Sequence, residues 1–409
     1  MRVLLINKFH YLKGGAERAY FDTARILAEN GHEVAFFAME HPENLETPWS
    51  RFFVSKVDYH DEDMGVFSKL GAAMRIVWNH EAAKKLDALI REFRPDVAHL
   101  HNTYHQLSPS IIWTLHRHGV RSVMTLHDYK LISPSYNLLV RGKVWDHTSG
   151  LRAVLDRAVQ GSQLKSAICA IEKWVHGMLG TFGKIDVYIA PSRFLIDRFH
   201  RAGFPYPIQH VVQPILPFPD PPAIGGGEYL LFIGRLSGEK GVETLIDACA
   251  VLRGDASLKI IGNGPGEFML RERAKGILGI EFLGYQTGDA WERALQGAKA
   301  LVIPSIWHEN MPYVVLEALS RGKPVIASRM GGIPERIREG ENGWLFEAGN
   351  ADDLVRAIRS LMLSPDPVLL ARAAYESVAD ARPEAYYQKL LSVYRAAELS
   401  GKDDRKGKA

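Results

Sequence analysis

The sequence predicts an α/β fold: two open sheets of parallel strands, each covered by helices on both faces, facing each other across an interdomain cleft. Three observations carry this. Short apolar, β-rich runs alternate with helical patterns along nearly the whole chain, and strands that are buried on both faces and joined by crossover helices read in this way. A proline-rich break divides the alternation into two series. The length of 409 residues exceeds one ordinary domain and suits two of about 200 residues each.

The first series comprises Val3–Ile6, Val34–Phe37, Val97–Leu100, Ser122–Leu126 and Val187–Ala190. Phe21 to Asn30, closed by Gly31, has the spacing and stop signal of a helix. Between Gly203 and Gly227 fall Pro205, Pro207, Pro214, Pro217, Pro219, Pro221 and Pro222, then Gly225 and Gly226. Proline removes a backbone donor, so no helix or central strand is expected there. The second series comprises Tyr229–Ile233, Ser257–Ile261, Ile280–Leu283, Ala300–Ile303, Val325–Ala327 and Trp344–Phe346, followed by helical patterns near 351–363, 366–380 and 384–398. The domains are therefore expected at 1–205 and 228–383, both Rossmann-like, with a linker at 206–227. The tail from Gly401 to Ala409 is charged and is expected to be disordered.

Composition narrows the class. Hydrophobic residues make up 46% and charged residues 24%, the balance of a globular protein with a core. Lys plus Arg (50) barely exceeds Asp plus Glu (47), for a net charge of +3. No basic stretch is interleaved with aromatics, so nucleic acid is not an expected partner. Cys169 and Cys249 sit within helical patterns, without metal-ligand spacing, and are expected as small core residues of a reducing compartment. The N-terminal Met1–Ile6 run is followed at once by polar residues, as in a strand and unlike a signal peptide. No apolar run reaches the roughly 18 residues needed to span a bilayer. A cytoplasmic protein is expected, held at a membrane, if at all, from one face.

The residues suited to chemistry fall at strand-to-helix turns, where ligands of such sheets bind. After Ala300–Ile303 comes Pro304-Ser-Ile-Trp-His-Glu309-Asn310-Met311-Pro312, then Glu317. Pro312 is expected in a first helical turn, with Glu309 in the loop before it and Glu317 inside the helix. Two carboxylates at one mouth can accept several hydroxyl protons at once, as a sugar and a ribose would offer; alternatively both are solvated surface acids. Gly234-Arg235-Leu-Ser-Gly-Glu-Lys240-Gly241 joins a strand to a helix and offers fixed cations with free N–H groups, which suits a diphosphate. Gly262-Asn263-Gly264-Pro-Gly266-Glu267 departs from a dinucleotide fingerprint at Glu267 and lies mid-domain; it is expected as a close-approach turn beside a nucleotide. Gly331 and Gly332 would let backbone approach a phosphate or sugar.

In the first half, Lys13-Gly14-Gly15-Ala-Glu-Arg opens a helix toward the cleft, and Thr125-Leu-His127-Asp128 ends a strand. His99 and His101 end another strand of the same sheet, so one of them could also reach the cleft. Asp61-Glu62-Asp63 has the spacing of a metal-binding Asp-x-Asp but no strand frames it. It is expected as a solvated loop, and no metal site is expected.

Together these residues resemble family 4 of the retaining glycosyltransferases, which have the GT-B fold, over nearly the whole chain. The resemblance rests on Gly14-Gly15, His127, the Gly234-Arg235-Leu236…Lys240-Gly241 turn, Gly262-Asn263-Gly264-Pro265, the Glu309/Glu317 pair, Gly331-Gly332-Ile-Pro-Glu335 and Asn342-Gly343. It implies that Arg235 and Lys240 hold the donor diphosphate, Glu309 meets the transferred sugar and Glu317 the ribose. It implies that Gly14, Gly15, Gly234, Gly331, Asn310 and Met311 complete the donor pocket, with His127 beside the sugar. The base would lie by Gly262, Asn263, Gly264 and Tyr285. The first domain would bind the acceptor, a glycan or lipid-linked glycan, and the helix 384–398 would return to pack on it. The donor is a nucleotide diphosphate sugar, on uridine or guanosine, and no cofactor or metal is implied. Ser133 stands where a related subgroup often carries Cys.

The stretch from Arg141 to Lys184, with Trp145, Trp174 and several cations, is expected to form helices at the cleft mouth. They either touch a membrane or a lipid-linked acceptor, or simply cover the domain. Rival readings are a nucleotide-sugar epimerase that does not oxidise the sugar, a glycan phosphorylase, and a non-catalytic homologue that binds nucleotide sugar or glycan.

Overall fold

A computed structural model describes residues 1–56, 71, 74–221, 227–364 and 366–403. Asp61, Glu62 and Asp63, together with Pro222, Gly225 and Gly226, lie outside the described residues.

Two parallel six-stranded sheets form the framework. The first runs through β1 (Arg2–Ile6), β2 (Glu33–Phe37), β3 (Val97–Leu100), β4 (Arg121–Thr125), β7 (Val187–Ala190) and β8 (Ile208–His210), in the order β2-β1-β3-β4-β7-β8. Between β4 and β7 lies a small hairpin, β5 (Leu139–Val140) and β6 (Lys143–Val144). Its turn residues Arg141 and Gly142 both have positive φ, at 51° and 73°, the turn that matches strand twist. The stretch from Arg141 therefore opens on a hairpin, and its helices begin only at Gly150. The second sheet runs through β9 (Tyr229–Ile233), β10 (Leu258–Ile261), β11 (Ile280–Gly284), β12 (Ala298–Ile303), β13 (Val325–Ser328) and β14 (Gly343–Phe346), in the order β11-β10-β9-β12-β13-β14.

The strand cores were legible because their apolar runs are continuous. Strand β8 was not: it lies in the stretch taken from its prolines to be a linker. As an edge strand, paired among the described residues only with β7, it needs donors on one side alone, so Pro205 and Pro207 beside it do no harm.

Each sheet is covered on both faces by apolar side chains. On one face of the first sheet Val3, Leu5, Val97, Val123 and Val187 meet Tyr386, Leu390, Val393 and Tyr394 of the final helix, Pro383–Asp403. That helix is also tied by Tyr386 Oη to Thr23 Oγ1 at 2.7 Å and by Tyr394 Oη to His99 Nδ1 at 3.0 Å. Burial of each aliphatic side chain contributes roughly 1.5–3 kcal/mol, enough to hold a C-terminal helix on the N-terminal sheet. The helix runs to Asp403, past Gly401, where irregular chain was expected. Cys169 and Cys249 are buried and free.

Candidate functional site

In each sheet, consecutive strands run outward in opposite directions from one point, between β1 and β3 in the first and between β9 and β12 in the second. Ligands of open parallel sheets bind beyond the carboxyl ends at such points. The loops found there are the ones singled out in the sequence: Gly14-Gly15 after β1, His101 after β3, Gly234-Arg235 after β9 and Glu309 after β12. Between the domains lies a cleft of about 970 Å³. Lys13, Arg18, Gly234, Arg235, Gly262, Asn263, Gly264, Tyr285 and Glu317 line it, together with Gln286, Thr287 and Trp291, which sequence reasoning did not single out. These three carry no motif; only the fold of β11 and the following helix Gly288–Gln296 brings them in.

Glu309 and Glu317 are 6% and 7% exposed, which rules out the reading of both as solvated acids. A buried carboxylate requires partners. Glu309 Oε1 accepts from Lys240 Nζ at 2.6 Å and from Ser305 Oγ at 2.8 Å. Glu317 is paired with Arg18, contributed by the helix Gly15–Glu29 of the other domain. Pro312 precedes the helix Tyr313–Ser320 as its cap residue and is not inside the first turn. Arg235 is exposed on the cleft wall.

The glycines in these loops serve contact between loops. Gly331 has φ +63°, and a Cβ there would lie 1.9 Å from the Glu309 carbonyl oxygen; at Gly332 it would lie 2.1 Å from that of Asn310. The Gly332 N–H donates to Glu309 O at 2.8 Å. Likewise, a Cβ on Gly262 would meet Gly234 O at 1.8 Å and one on Gly264 would meet Leu236 O at 2.4 Å. Paired glycines thus set the backbone that presents Glu309 and Arg235. Gly15 faces the Tyr313 ring across the cleft at an ordinary 3.5 Å, whereas the nearest group to Gly14 is Glu17 at 3.7 Å.

Asn310 joins the domains, with Nδ2 donating to Leu126 O at 3.3 Å and Oδ1 2.8 Å from Ser192 Oγ. This brings the loop of Glu309 and Met311, the latter buried, up to His127. Glu335 crosses the cleft as well. Its carboxylate accepts from the N–H groups of Arg193 at 2.9 Å and Phe194 at 2.6 Å, the first two of the helix Arg193–Arg201, whose Leu195 N–H is capped by Ser192; a negative charge is stabilising there. No sequence signal marked this role, because the helix and the glutamate meet only when the domains do.

His127 Nε2 lies 2.9 Å from His101 Nδ1. Burial pushes His127 down to about 4, so its ring is neutral near pH 7. Asp128 is pushed up to about 6 by burial, offset in part by the Lys130 N–H and by Lys8. Of the two histidines at the end of β3, His101 reaches His127, while His99 turns to Tyr394 and Thr125. Among the described residues one group could hold a cation, His105, Cys169 and Glu172; there Lys130 Nζ lies 2.7 Å from Glu172, so an ammonium already meets that carboxylate.

Comparison with known proteins supports the same reading. The family profile described as Glycosyltransferase Family 4 matches residues 13–214, and that described as Glycosyl transferases group 1 matches 218–377. An uncharacterised 42.6 kDa protein in the cps region of Klebsiella pneumoniae is 27% identical over 85% of this chain and 90% of its own length. The amylovoran biosynthesis glycosyltransferase AmsK of Erwinia amylovora is 31% identical over 36% of this chain, a match spanning 39% of that protein. Among solved structures, sucrose-phosphate synthase of Thermosynechococcus elongatus superposes with a TM-score of 0.68 at 19% identity, covering 98% of this chain and 99% of its own. Anabaena HepE in complex with UDP gives 0.67 at 17% identity, covering 97% and 100%, and it has also been solved with UDP-glucose. The chain therefore belongs to glycosyltransferase family 4, has the GT-B fold, and is a glycosyltransferase.

Proposed function

We propose that the chain transfers a sugar from a nucleotide diphosphate sugar, on uridine or guanosine, to a glycan or lipid-linked acceptor in polysaccharide or glycoconjugate biosynthesis. In this reading the configuration at the anomeric carbon is retained. The observation that carries it is the cleft, with exposed Arg235 on its wall and, beside it, the part-buried Lys240 paired with buried Glu309. Arg235 and Lys240 meet the charge that develops on the departing diphosphate, so the reading needs no metal or cofactor. Glu309 accepts from hydroxyls of the transferred sugar, and Glu317 from the ribose once Arg18 releases it. The exposed ring of Tyr285, at 69%, is free to cover the base, beside Gly262, Asn263 and Gly264. Gly14, Gly15, Asn310, Met311 and Gly331 shape the pocket between the domains, and His127 stands by the sugar. The Anabaena relative in complex with UDP-glucose supports a uridine donor.

For the acceptor, the helices Gly150–Leu155 and Gln163–Met178 expose Leu151, Leu155, Leu164, Ile171, Trp174 and Met178. A groove of about 610 Å³ runs between them, and Arg141, Lys143, Arg152 and Arg157 are exposed nearby. Contiguous apolar surface of this kind marks an interaction site, and cations around it suit anionic lipid. A lipid-linked acceptor held at the cytoplasmic face of a membrane fits that surface. Among the described residues no helix is long and apolar enough to cross a membrane.

The test is product analysis. Each donor is incubated with candidate lipid-linked and soluble glycan acceptors, and the new linkage is read by proton NMR. An anomeric configuration matching the donor is expected, and an inverted product overturns retention. Failure to co-sediment with anionic vesicles removes the membrane part and leaves the transfer reading standing.

A further inference from the structure

Three histidine rings stack in succession from β3 to the carboxyl end of β4. His99 and His101 stack with centroids 4.6 Å apart and planes at 25°, and His101 and His127 at 5.1 Å and 20°. His99 spends both nitrogens, Nδ1 at 3.0 Å from Tyr394 Oη and Nε2 at 2.7 Å from Thr125 Oγ1. His101, 1% exposed, spends only one: Nδ1 lies 2.9 Å from His127 Nε2, while its own Nε2 is buried without a partner among the described residues. The edge-on Tyr20 ring, 5.6 Å away at 81°, helps fix its plane. With Nε2 of His127 engaged, Nδ1 is the nitrogen left for a ligand at the carboxyl end of β4.

Burial holds both rings well below the ordinary histidine range, so near neutrality each carries one proton. The contact then has two arrangements. If His127 Nε2–H donates, the proton of His101 must sit on Nε2, a buried N–H with no acceptor. If His101 Nδ1–H donates, the Nε2 of His101 is a bare lone pair, and the proton of His127 sits on Nδ1. Orphaned buried N–H groups are rarer than under-used acceptors, because an unmade hydrogen bond costs the donor its full desolvation.

We infer that His101 is a positioning residue that fixes His127 in its Nδ1–H tautomer, so that the ring offers the bound substrate a hydrogen-bond donor and no lone pair. This rests on the proposed function in placing the transferred sugar beside His127. It follows that His127 serves a sugar oxygen as donor and does not act as the base that takes the acceptor's proton.

The test uses the full chain labelled with nitrogen-15 at histidine. Two-bond proton–nitrogen correlation, with His127 assigned by loss of its signals in His127→Gln, reads the tautomer directly. A proton on Nδ1 is expected in the unliganded wild type; a proton on Nε2 overturns the inference, whether or not the His101 variants fold. In His101→Asn the amide N–H stands near the position of Nδ1, so the tautomer is expected to persist and kcat to stay within about threefold. In folded His101→Leu, His127 is expected to populate Nε2–H and kcat to fall at least about tenfold while the donor KM moves little, the pattern of an interaction made in the transition state. Unchanged kcat in His101→Leu also overturns the inference. Absence of all donor binding would instead count against the proposed function, and the tautomer measurement would still decide this one.

Discussion

The Lys240 ammonium lies 2.6 Å from Glu309 Oε1, so the two groups proposed to hold the diphosphate and the transferred sugar neutralise each other in the unliganded cleft. Glu309 is buried, while Lys240 retains more contact with solvent. Removing one partner of such a pair is therefore asymmetric. Lys240→Ala strands a buried carboxylate, with an expected loss of about 1–3 kcal/mol. Glu309→Gln keeps an acceptor for Ser305 and frees a cation that water can reach, with an expected loss below about 1 kcal/mol. Both are expected to lower kcat at least about a hundredfold. Chemical denaturation beside a transfer assay checks this, and equal destabilisation by the two variants would contradict the asymmetry.

The glycines separate in the same way. Gly331→Ala places a methyl 1.9 Å from the Glu309 carbonyl, at φ +63°, and is expected to cost at least about 2 kcal/mol and to displace Glu309. Gly14→Ala meets nothing closer than 3.7 Å and is expected to fold normally while weakening donor binding, because the methyl occupies cleft space. Paired thermal melts and donor KM values distinguish the two. A Gly331→Ala protein as stable as the wild type would disprove the loop contact.

Glu335 is expected to hold the domains together without touching the donor. Glu335→Ala leaves the N–H groups of Arg193 and Phe194 without their carboxylate acceptor while Ser192 still caps the helix Arg193–Arg201, with an expected loss of about 1 kcal/mol and a lower kcat from looser closure. The binding constant of nucleoside diphosphate alone should change less than threefold. Calorimetry on the variant reads that constant, and a larger weakening would place Glu335 in the donor site.

Acid stability has a definite sign. His10, His105 and His127 are lowered to about 4 and His99 to about 3 by burial, and burial also holds His101 well below the ordinary histidine range. Unfolded histidines take up protons near 6.5, so between pH 6.5 and 4 the unfolded state binds more protons, and stability falls as the pH falls. Asp22 and Asp128, raised to about 6, act in the opposite sense, since their native forms take up protons first, but they are outnumbered. The unfolding midpoint is expected to drop by several degrees from pH 7 to pH 5 in wild type, and by less in His127→Gln. A midpoint independent of pH over that range would contradict the burial of these rings.

What the sequence revealed follows from range. The strand cores and the loops carrying Arg235, Glu309 and His127 were legible because apolar runs, glycines and strand ends are local signals. Arg18 lies in a quoted motif, but its partner Glu317 is on the other domain, and nothing local points from one to the other. The same holds for Glu335 and the helix at Arg193. Strand β8 was hidden by prolines that only an edge position tolerates. That His101, not His99, reaches His127 depends on where β4 ends beside β3, a matter of register between strands. The need for glycine at 331 was visible, but not that it serves the Glu309 backbone.

The most direct test of the account is donor-induced thermal stabilisation, since a ligand that binds only the folded state raises the unfolding midpoint. Wild type and Arg235→Ala are melted with a panel of UDP- and GDP-sugars. Arg235 is exposed, lines the cleft and forms no ion pair among the described residues, so its loss should leave the unliganded midpoint unchanged. The account predicts a rise of several degrees with one donor in wild type, largely abolished in Arg235→Ala. A rise of equal size in both proteins, or none with any donor, would contradict a nucleotide diphosphate site between the domains.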